Sequence, residues 1–425
     1  MRTFDEWLAF IECQHPSAIS MGLDRVREVA TRLGLERPAA QVVTVAGTNG
    51  KGSTVAFIEA IARAGGWKVG SYTSPHLLRY NERVRIDGEE AGDAALVEAF
   101  AAVEAARGDT PLTYFEYGTL AALWLFQRAA LDLVVLEVGL GGRLDAVNLV
   151  DPDVAVVTTV DIDHTDWLGS DREAIGREKA GIARAWKPLV LGEVDPPSSV
   201  LPHAYAIGAN AIRLGSDFFH EDAPGEPGGE ARWRWREVGA ELLLPYPRLA
   251  APAQRANAAT AIAALRALPQ GLPDRAYADG VAAATLSGRL QRFERGGIEI
   301  VVDVAHNLQA ARGLAAWLEA QPDAGVTSAV FAALADKDAA GIVEAAAGSV
   351  SRWHLAGLDD VARGQGVDAP AARLSATAAA SASRDPHVAD ALARALAGSA
   401  AGDRVLVFGS FHTAAEAITA LRSGV

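Results

Sequence analysis

The apolar run Val42–Ala46 leads directly into Gly47-Thr48-Asn49-Gly50-Lys51-Gly52-Ser53-Thr54, and the helical pattern Ser53–Ala64 follows, closed by Gly65-Gly66. A strand that meets a glycine-rich turn and then a helix commits this part of the chain to a mainly parallel α/β sheet, because parallel neighbours need a crossover that is usually helical. The alternation continues, with strands predicted at Lys68–Tyr72, Leu133–Val138, Val154–Val160 and Pro188–Leu191. A second series follows at Ile298–Val302, Thr327–Ala332, Trp353–Leu355 and Arg404–Phe408, with alanine-rich helices between. A chain of 425 residues exceeds the usual size of one core. The compact, basic, glycine-bounded run Ser287–Gly297 is the expected junction, giving domains 1–287 and 288–425. Between the helix around Ala256–Leu268 and the first series, Ala204–Pro247 reads differently. Its acidic loop Glu221–Glu230 and alternating Trp233-Arg234-Trp235-Arg236 predict a hairpin added to the first sheet. Ala371–Ser383, biased towards Ala and Ser, reads as a surface helix or a mobile loop.

Composition narrows the partners. Hydrophobic residues at 50% and charged residues at 22% exclude a chain disordered throughout. A formal charge of −14 repels nucleic acid and anionic membranes, leaving small anionic ligands only where cations and helix N-termini gather. Cys13 is the single cysteine, so neither an intrachain disulfide nor a Cys-based zinc site can form, and it is expected to pack as a small apolar residue. No apolar run is long enough to span a bilayer, and Thr3–Ile11 is amphipathic rather than a signal core, which predicts a soluble, cytoplasmic protein.

Polar residues collect just beyond the C-terminal ends of the predicted strands: Lys51, Ser74, Glu137 and His164 first, then Asp303, His306 and Ser410. Open parallel sheets bind ligands along that edge, so a site in a cleft between two α/β domains is expected. In Gly47–Thr54 the glycines let backbone N–H groups wrap phosphates, Lys51 can reach the terminal ones, and Ser53 or Thr54 can serve magnesium. The spacing departs from the common GxxxxGK[ST] loop, since Val45 stands at the first glycine and Gly52 follows the lysine; a glycine-rich turn with a solvated lysine is the alternative. Glu137, at a strand end before Gly139-Leu140-Gly141-Gly142-Arg143, suits an oxygen-seeking Mg²⁺, or else pairs with Arg143. His164, in Asp163-His164-Thr165-Asp166, is a less usual magnesium ligand and can equally orient a carboxylate. Ser170 or Asp171 can cap a helix containing Glu178-Lys179-Ala180-Gly181, where Lys179 reads as an ordinary surface lysine. Asp303 at a strand end can grip ribose or an arginine, His306 can approach phosphate, and Arg289 is a cation able to swing onto a terminal phosphate; loop polar groups without a ligand are the alternative.

Gly47–Thr54, Thr73-Ser74-Pro75-His76-Leu77, Thr113–Glu116, Glu137–Asp145, Asp163–Gly169, Glu178–Ile182, Asp303–Asn307, Asp336-Lys337-Asp338 and Gly409-Ser410-Phe411-His412 resemble, in order along nearly the whole chain, folylpolyglutamate synthases. Ser20-Met21-Gly22-Leu23, Thr113–Glu116 and Leu144-Asp145-Ala146 resemble the bacterial bifunctional dihydrofolate synthase/folylpolyglutamate synthase group within the Mur ligase superfamily. That resemblance implies a P-loop-type sheet domain with an added β-hairpin region and a smaller Rossmann-like C-terminal domain. It implies an ATP-dependent carboxylate–amine ligase that joins L-glutamate to dihydropteroate and to reduced folates through an acyl phosphate.

By the same resemblance, Thr48, Asn49, Gly50 and Lys51 hold ATP, with Asn257, Arg289 and Asp303 completing the nucleotide site from the junction and the second domain. Ser74 and Glu137 hold one Mg²⁺, and Glu137 with His164 a second, beside a carbamylated Lys179. Lys51, Glu137, His164, Lys179 and Arg289 are the implied catalytic group. Ser20, Met21, Gly22, Thr113, Tyr114, Phe115, Glu116, Leu144, Asp145 and Ala146 are the implied substrate-binding set, and a monomer is implied. Three residues depart from the pattern: Val147 in place of Thr, Asp161 in place of a small residue, and Leu308 in place of Pro. Asp161 is expected to tune metal or substrate affinity without abolishing the site.

Overall fold

The computed structural model describes residues 2–224, 231–321, 325–361 and 363–424. The chain forms two compact units, Met1–Arg248 with Gln254–Thr285, and Leu249–Ala253 with Leu286–Val425.

In the first unit, β1 (Ala39–Ala46), β2 (Val69–Tyr72), β3 (Val84–Ile86), β4 (Glu89–Glu90), β5 (Leu131–Glu137), β6 (Val154–Val157), β7 (Pro188–Leu191) and β8 (Asn210–Arg213) form one sheet. Its order is β4-β3-β2-β5-β1-β6-β7-β8, parallel from β2 to β8, with β3 and β4 antiparallel at one edge. Strand β1 is buried from Val42 to Ala46, as a strand covered on both faces must be. Its Val45 lies opposite Glu137 on one side and Val156 on the other, so the glycine loop and Glu137 emerge at one sheet edge. The β6 strand ends at Val157, earlier than expected, because Thr158 and Thr159 turn their hydroxyls to the loop backbone at Asn49.

The Trp-Arg alternation forms strands, but not an extension of that sheet. β9 (Phe218–Asp222), β10 (Arg232–Glu237) and β11 (Ala240–Pro245) make a separate antiparallel sheet in the order β11-β10-β9. Trp233 and Trp235 bury one face of it, and Trp235 Nε1 donates to Ala259 O at 3.1 Å, so the indoles turn this sheet onto the helix Ala253–Arg266. Of the acidic loop Glu221–Glu230, residues 225–230 lie outside the described residues.

The second unit has its own sheet, from β12 (Gln291–Arg295), β13 (Ile298–Val302), β14 (Thr327–Phe331), β15 (Arg352–Ala356), β16 (Ser383–Asp385) and β17 (Arg404–Phe408). The order is β12-β13-β17-β14-β15-β16, parallel except for β12. The run Ser287–Gly297, read as a junction, thus contains an edge strand: Gly296 and Gly297, both at positive φ, make the turn that folds β12 back on β13. Within Ala371–Ser383, Ala371, Leu374 and Ala379 are buried, which anchors the segment. Cys13 is exposed, not packed; it caps the end of the helix Phe4–Glu12. Among the described residues no helix is long and apolar enough to cross a membrane.

Candidate active site

The glycine loop is braced by the segment Thr158–Asp161. Helix Lys51–Ala64 starts at Gly50, whose φ of 87° is left-handed and favours glycine. A side chain there would also strike Asn257, since an added Cβ would lie 2.5 Å from its Oδ1. Thr48 N donates to Thr159 O at 2.7 Å, Asn49 N to Thr159 Oγ1 at 3.1 Å, and Thr158 Oγ1 to Asn49 O at 2.6 Å. The Thr48 hydroxyl donates to Asp161 O at 3.1 Å and accepts from Asp161 N at 3.0 Å. Lys51 Nζ donates to Gly47 O at 3.0 Å and Thr48 O at 3.2 Å, so its cation lies over the loop and is not solvated at large. Ser53 and Thr54 are buried on the first turn, and the Thr54 hydroxyl has no hydrogen-bond partner. Asn257 lies in the first unit, within the expected domain 1–287, on the helix Ala253–Arg266, where Nδ2 donates to Gln254 Oε1 at 3.1 Å.

Glu137 is buried at the end of β5, and Ser74 N donates to its Oε2 at 3.3 Å. The alternative pairing with Arg143 does not form: Arg143 Nη2 lies 2.8 Å from Glu178 Oε1. His164 sits at φ 51°, ψ 43° as the cap of the short helix Thr165–Leu168, an uncommon conformation for a residue with a Cβ. Its N–H donates to Asp163 Oδ1 at 2.9 Å. Among the described residues no three His, Cys, Asp or Glu side chains gather as a ready cation cage.

Lys179 is the largest departure from the reading by residue type. It is buried on the helix Arg172–Ala180, which Asp171 caps by accepting from Ala174 N at 2.8 Å. Burial, aided by the Lys51 charge, lowers its amine to about 7, against Asp163, Asp145 and Glu193. Gly142 makes the close approach possible, since an added Cβ would lie 2.7 Å from Glu178 O and 3.0 Å from Lys179 Cα.

The segments expected to bind substrate lie in the first unit. Asp145 is buried and closes the loop after Glu137: Oδ2 accepts from Gly139 N at 3.0 Å and Leu140 N at 2.9 Å, and Oδ1 from Val147 N at 3.0 Å. Burial raises its carboxyl to about 7 against those three amides and the Lys51 charge. Val147 is fully buried and contributes its amide, so the missing hydroxyl leaves that contact intact. Gly22 N donates to Leu144 O at 3.4 Å, and an added Cβ on Gly139 would meet the Phe115 ring at 2.7 Å. Thr113 and Glu116 form a capping box at the start of the helix Tyr114–Arg128, with Thr113 N donating to Glu116 Oε2 at 2.8 Å. Tyr114 sits beside the Arg83 guanidinium, 5.4 Å from the ring centroid, and burial raises its phenol to about 12.

In the second unit, Asp303 Oδ2 accepts from Leu290 N and Oδ1 from Ala305 N, both at 2.8 Å. The carboxylate therefore pins the backbone next to Arg289, while burial raises its pKa and Arg289 opposes that. The Arg289 guanidinium lies 5.2 Å from the Phe411 ring centroid. His306 Nδ1 donates to Val304 O at 2.9 Å, and Asn307 caps the helix Leu308–Glu319. Ser410 is a buried helix cap, accepting from Thr413 N at 3.0 Å.

Three participants lacked a signal in the sequence. Arg25 joins Ser20 O to the Glu116 carboxylate. Arg83, buried, donates to His76 Nδ1 at 2.8 Å. Glu193 accepts from Val160 N at 3.0 Å and pairs with Arg172 at 3.3 Å; burial raises it to about 7, with Asp161 adding to the effect. The charge of Asp161 thus falls on Glu193, while its backbone holds the Thr48 hydroxyl.

Residues 45–215 match the Mur ligase middle domain family, and residues 288–411 the Mur ligase, glutamate ligase domain family. The chain is 47% identical over 422 residues to dihydrofolate synthase/folylpolyglutamate synthase of Escherichia coli (strain K12), covering 98% of this chain and 96% of the relative. It is similar to the solved structure of E. coli FolC in complex with DHPP and ADP, with a TM-score of 0.92, 45% identity, and 99% and 98% of the two chains covered. A bifunctional folylpolyglutamate synthase/dihydrofolate synthase solved with Mn, AMPPNP and L-glutamate bound is similar at a TM-score of 0.90, 44% identity, and 99% and 98% coverage.

Proposed function

Because this chain belongs to the Mur ligase family, among its dihydrofolate synthase/folylpolyglutamate synthases, we propose that the glycine loop, Glu137 and Lys179 serve one acyl-transfer chemistry on two pterin substrates. The protein is an ATP-dependent ligase with dihydrofolate synthase and folylpolyglutamate synthase activity. A substrate carboxylate oxygen attacks the γ-phosphorus of ATP, the β–γ bridge breaks, and ADP leaves. The neutral amine of L-glutamate then attacks the acyl carbon, and the tetrahedral intermediate expels phosphate to leave an amide. The carboxylate belongs to dihydropteroate in one activity and to the glutamyl end of a reduced folate in the other.

The observation that carries this assignment of residues is the register of β1 and β5. It sets buried Glu137 opposite Val45, two residues before Gly47, so a carboxylate and a phosphate-cradling loop share one sheet edge. Within the loop Thr48–Lys51, Gly50 and Lys51 present the N–H groups of the helix start and one cation to the phosphates, while Thr48 and Asn49, bonded to Thr159, hold the loop in shape and Asn257 packs on Gly50. Arg289 and Asp303 are assigned to the nucleotide by the family pattern, and Asp303 fixes the backbone beside the arginine. Ser20–Gly22, Thr113–Glu116 and Leu144–Ala146 position the pterin substrate.

The residues present fit two magnesium ions held by Ser74, Glu137, His164 and a carbamylated Lys179. Ser74 N donates to Glu137 Oε2, which sets those two residues together, and oxygen donors suit an ion that keeps water and takes substrate phosphate oxygens as ligands. When bound, magnesium neutralises phosphate charge. The lowered amine of Lys179 supports carbamylation, since only the neutral amine adds CO₂, and the product replaces a cation with a carboxylate-like group. We place the protein in the cytoplasm as a monomer, and sedimentation at assay concentration checks the second point. Lys51→Ala tests the phosphate role: turnover should fall at least about a hundredfold in both activities, and intact turnover would remove Lys51 from the mechanism.

A further inference from the structure

Arg25 lies outside every segment assigned to a ligand, yet its guanidinium joins two of them. Nε donates to Glu116 Oε2 at 3.0 Å, Nη2 lies 2.8 Å from Glu116 Oε1, and Nη2 also donates to the carbonyl of Ser20. Glu116 is 4% exposed by side chain and Arg25 22%, so the pair is largely shielded from screening by water. The same carboxylate accepts from Thr113 N and from the Thr113 hydroxyl at 3.0 Å, so Arg25 acts on the cap that starts the helix Tyr114–Arg128. On the other side, the loop that Arg25 holds reaches the third segment through Gly22 N and Leu144 O. The Met21 side chain lies beside Gly141, where an added Cβ would be 3.6 Å from its Cε.

We propose that Arg25 is a positioning residue for the pterin substrate, locking the Ser20–Gly22 loop to the Thr113–Glu116 cap so that both hold one geometry. A guanidinium suits this set, because Nε donates to one carboxylate oxygen while Nη2 donates to the Ser20 carbonyl and pairs by charge with the other oxygen. A lysine keeps the charge and can satisfy only part of this set. The side chain makes none of its hydrogen bonds to the glycine loop, so nucleotide binding is independent of it.

The inference rests on the reading of those segments as pterin-binding, and the experiment separates the two. Steady-state constants and thermal midpoints are measured for Arg25→Lys, Arg25→Met and, as a control on the segment itself, Met21→Ala. Both Arg25 variants should raise KM for dihydropteroate about tenfold, with KM for ATP unchanged. Arg25→Lys should keep its thermal midpoint. An unchanged KM for dihydropteroate in Arg25→Lys, with Met21→Ala raising it, would overturn the role of Arg25. So would equal losses for ATP and dihydropteroate tracking a lowered midpoint, the pattern of a purely structural ion pair. If Met21→Ala itself leaves KM for dihydropteroate unchanged, the segment reading fails instead.

Discussion

At the scale of single residues, burial changes what a side chain is. Lys179 reads as a surface lysine because nothing in the charge or spacing around it singles it out, and only the packing of its helix on Gly142 shows that its amine is desolvated. With the folded amine at about 7, CO₂ addition is suppressed below that pH, where the group is protonated, and favoured above it. Protein equilibrated with ¹³C-labelled bicarbonate should therefore gain a carbamate signal as pH rises from 6 to 8, absent in Lys179→Arg. Gly142→Ala should act through the same contact, displacing Lys179 and lowering activity, with about 1–3 kcal/mol of stability lost as measured by urea unfolding. Asp161 adds its charge to a region already holding Glu193. Asp161→Ala should shift the magnesium dependence or a substrate constant, and no change in either would leave the residue without a tuning role. Asp145, expected to touch substrate, spends both oxygens on backbone amides, so its visible task is to shape the loop.

Elements were legible where the pattern was local. β1, β7, β13 and β17 lie where apolar runs predict them, and the loop between β1 and its helix was readable because glycine, lysine and hydroxyl residues have few other uses in that order. Pairing was not legible. The Trp233/Trp235 alternation gives a strand with one buried face, but which surface receives that face depends on Ala259, distant in sequence. Trp235→Ala should cost about 3–5 kcal/mol in chemical denaturation, because a fully buried indole and its hydrogen bond are lost together. Arg25 illustrates the same limit: its partner Glu116 is 91 residues away, and neither residue type announces the other. Thr113→Ala removes one side of the capping box and should cost about 1 kcal/mol, read by thermal unfolding.

For the whole molecule, a charge of −14 excludes polyanionic partners but not ATP and folates. The resolution is local: Lys51 on its loop and the open N–H groups of a helix start supply positive potential where the sheet edge ends, and Glu137 within that edge suits a divalent cation. In the proposed assignment the same edge serves both activities, with the glycine loop after β1 and the buried Glu137 side by side. The most direct measurement supplies the purified chain with ATP, magnesium and L-glutamate, and either dihydropteroate or tetrahydrofolate, and follows ADP release and amide product by mass. Dihydrofolate and a glutamate-extended folate should both form, each with one ADP per amide, and both should disappear together in Lys51→Ala. Amide formation from only one of the two substrates, or loss of only one activity in that variant, would contradict a single shared site.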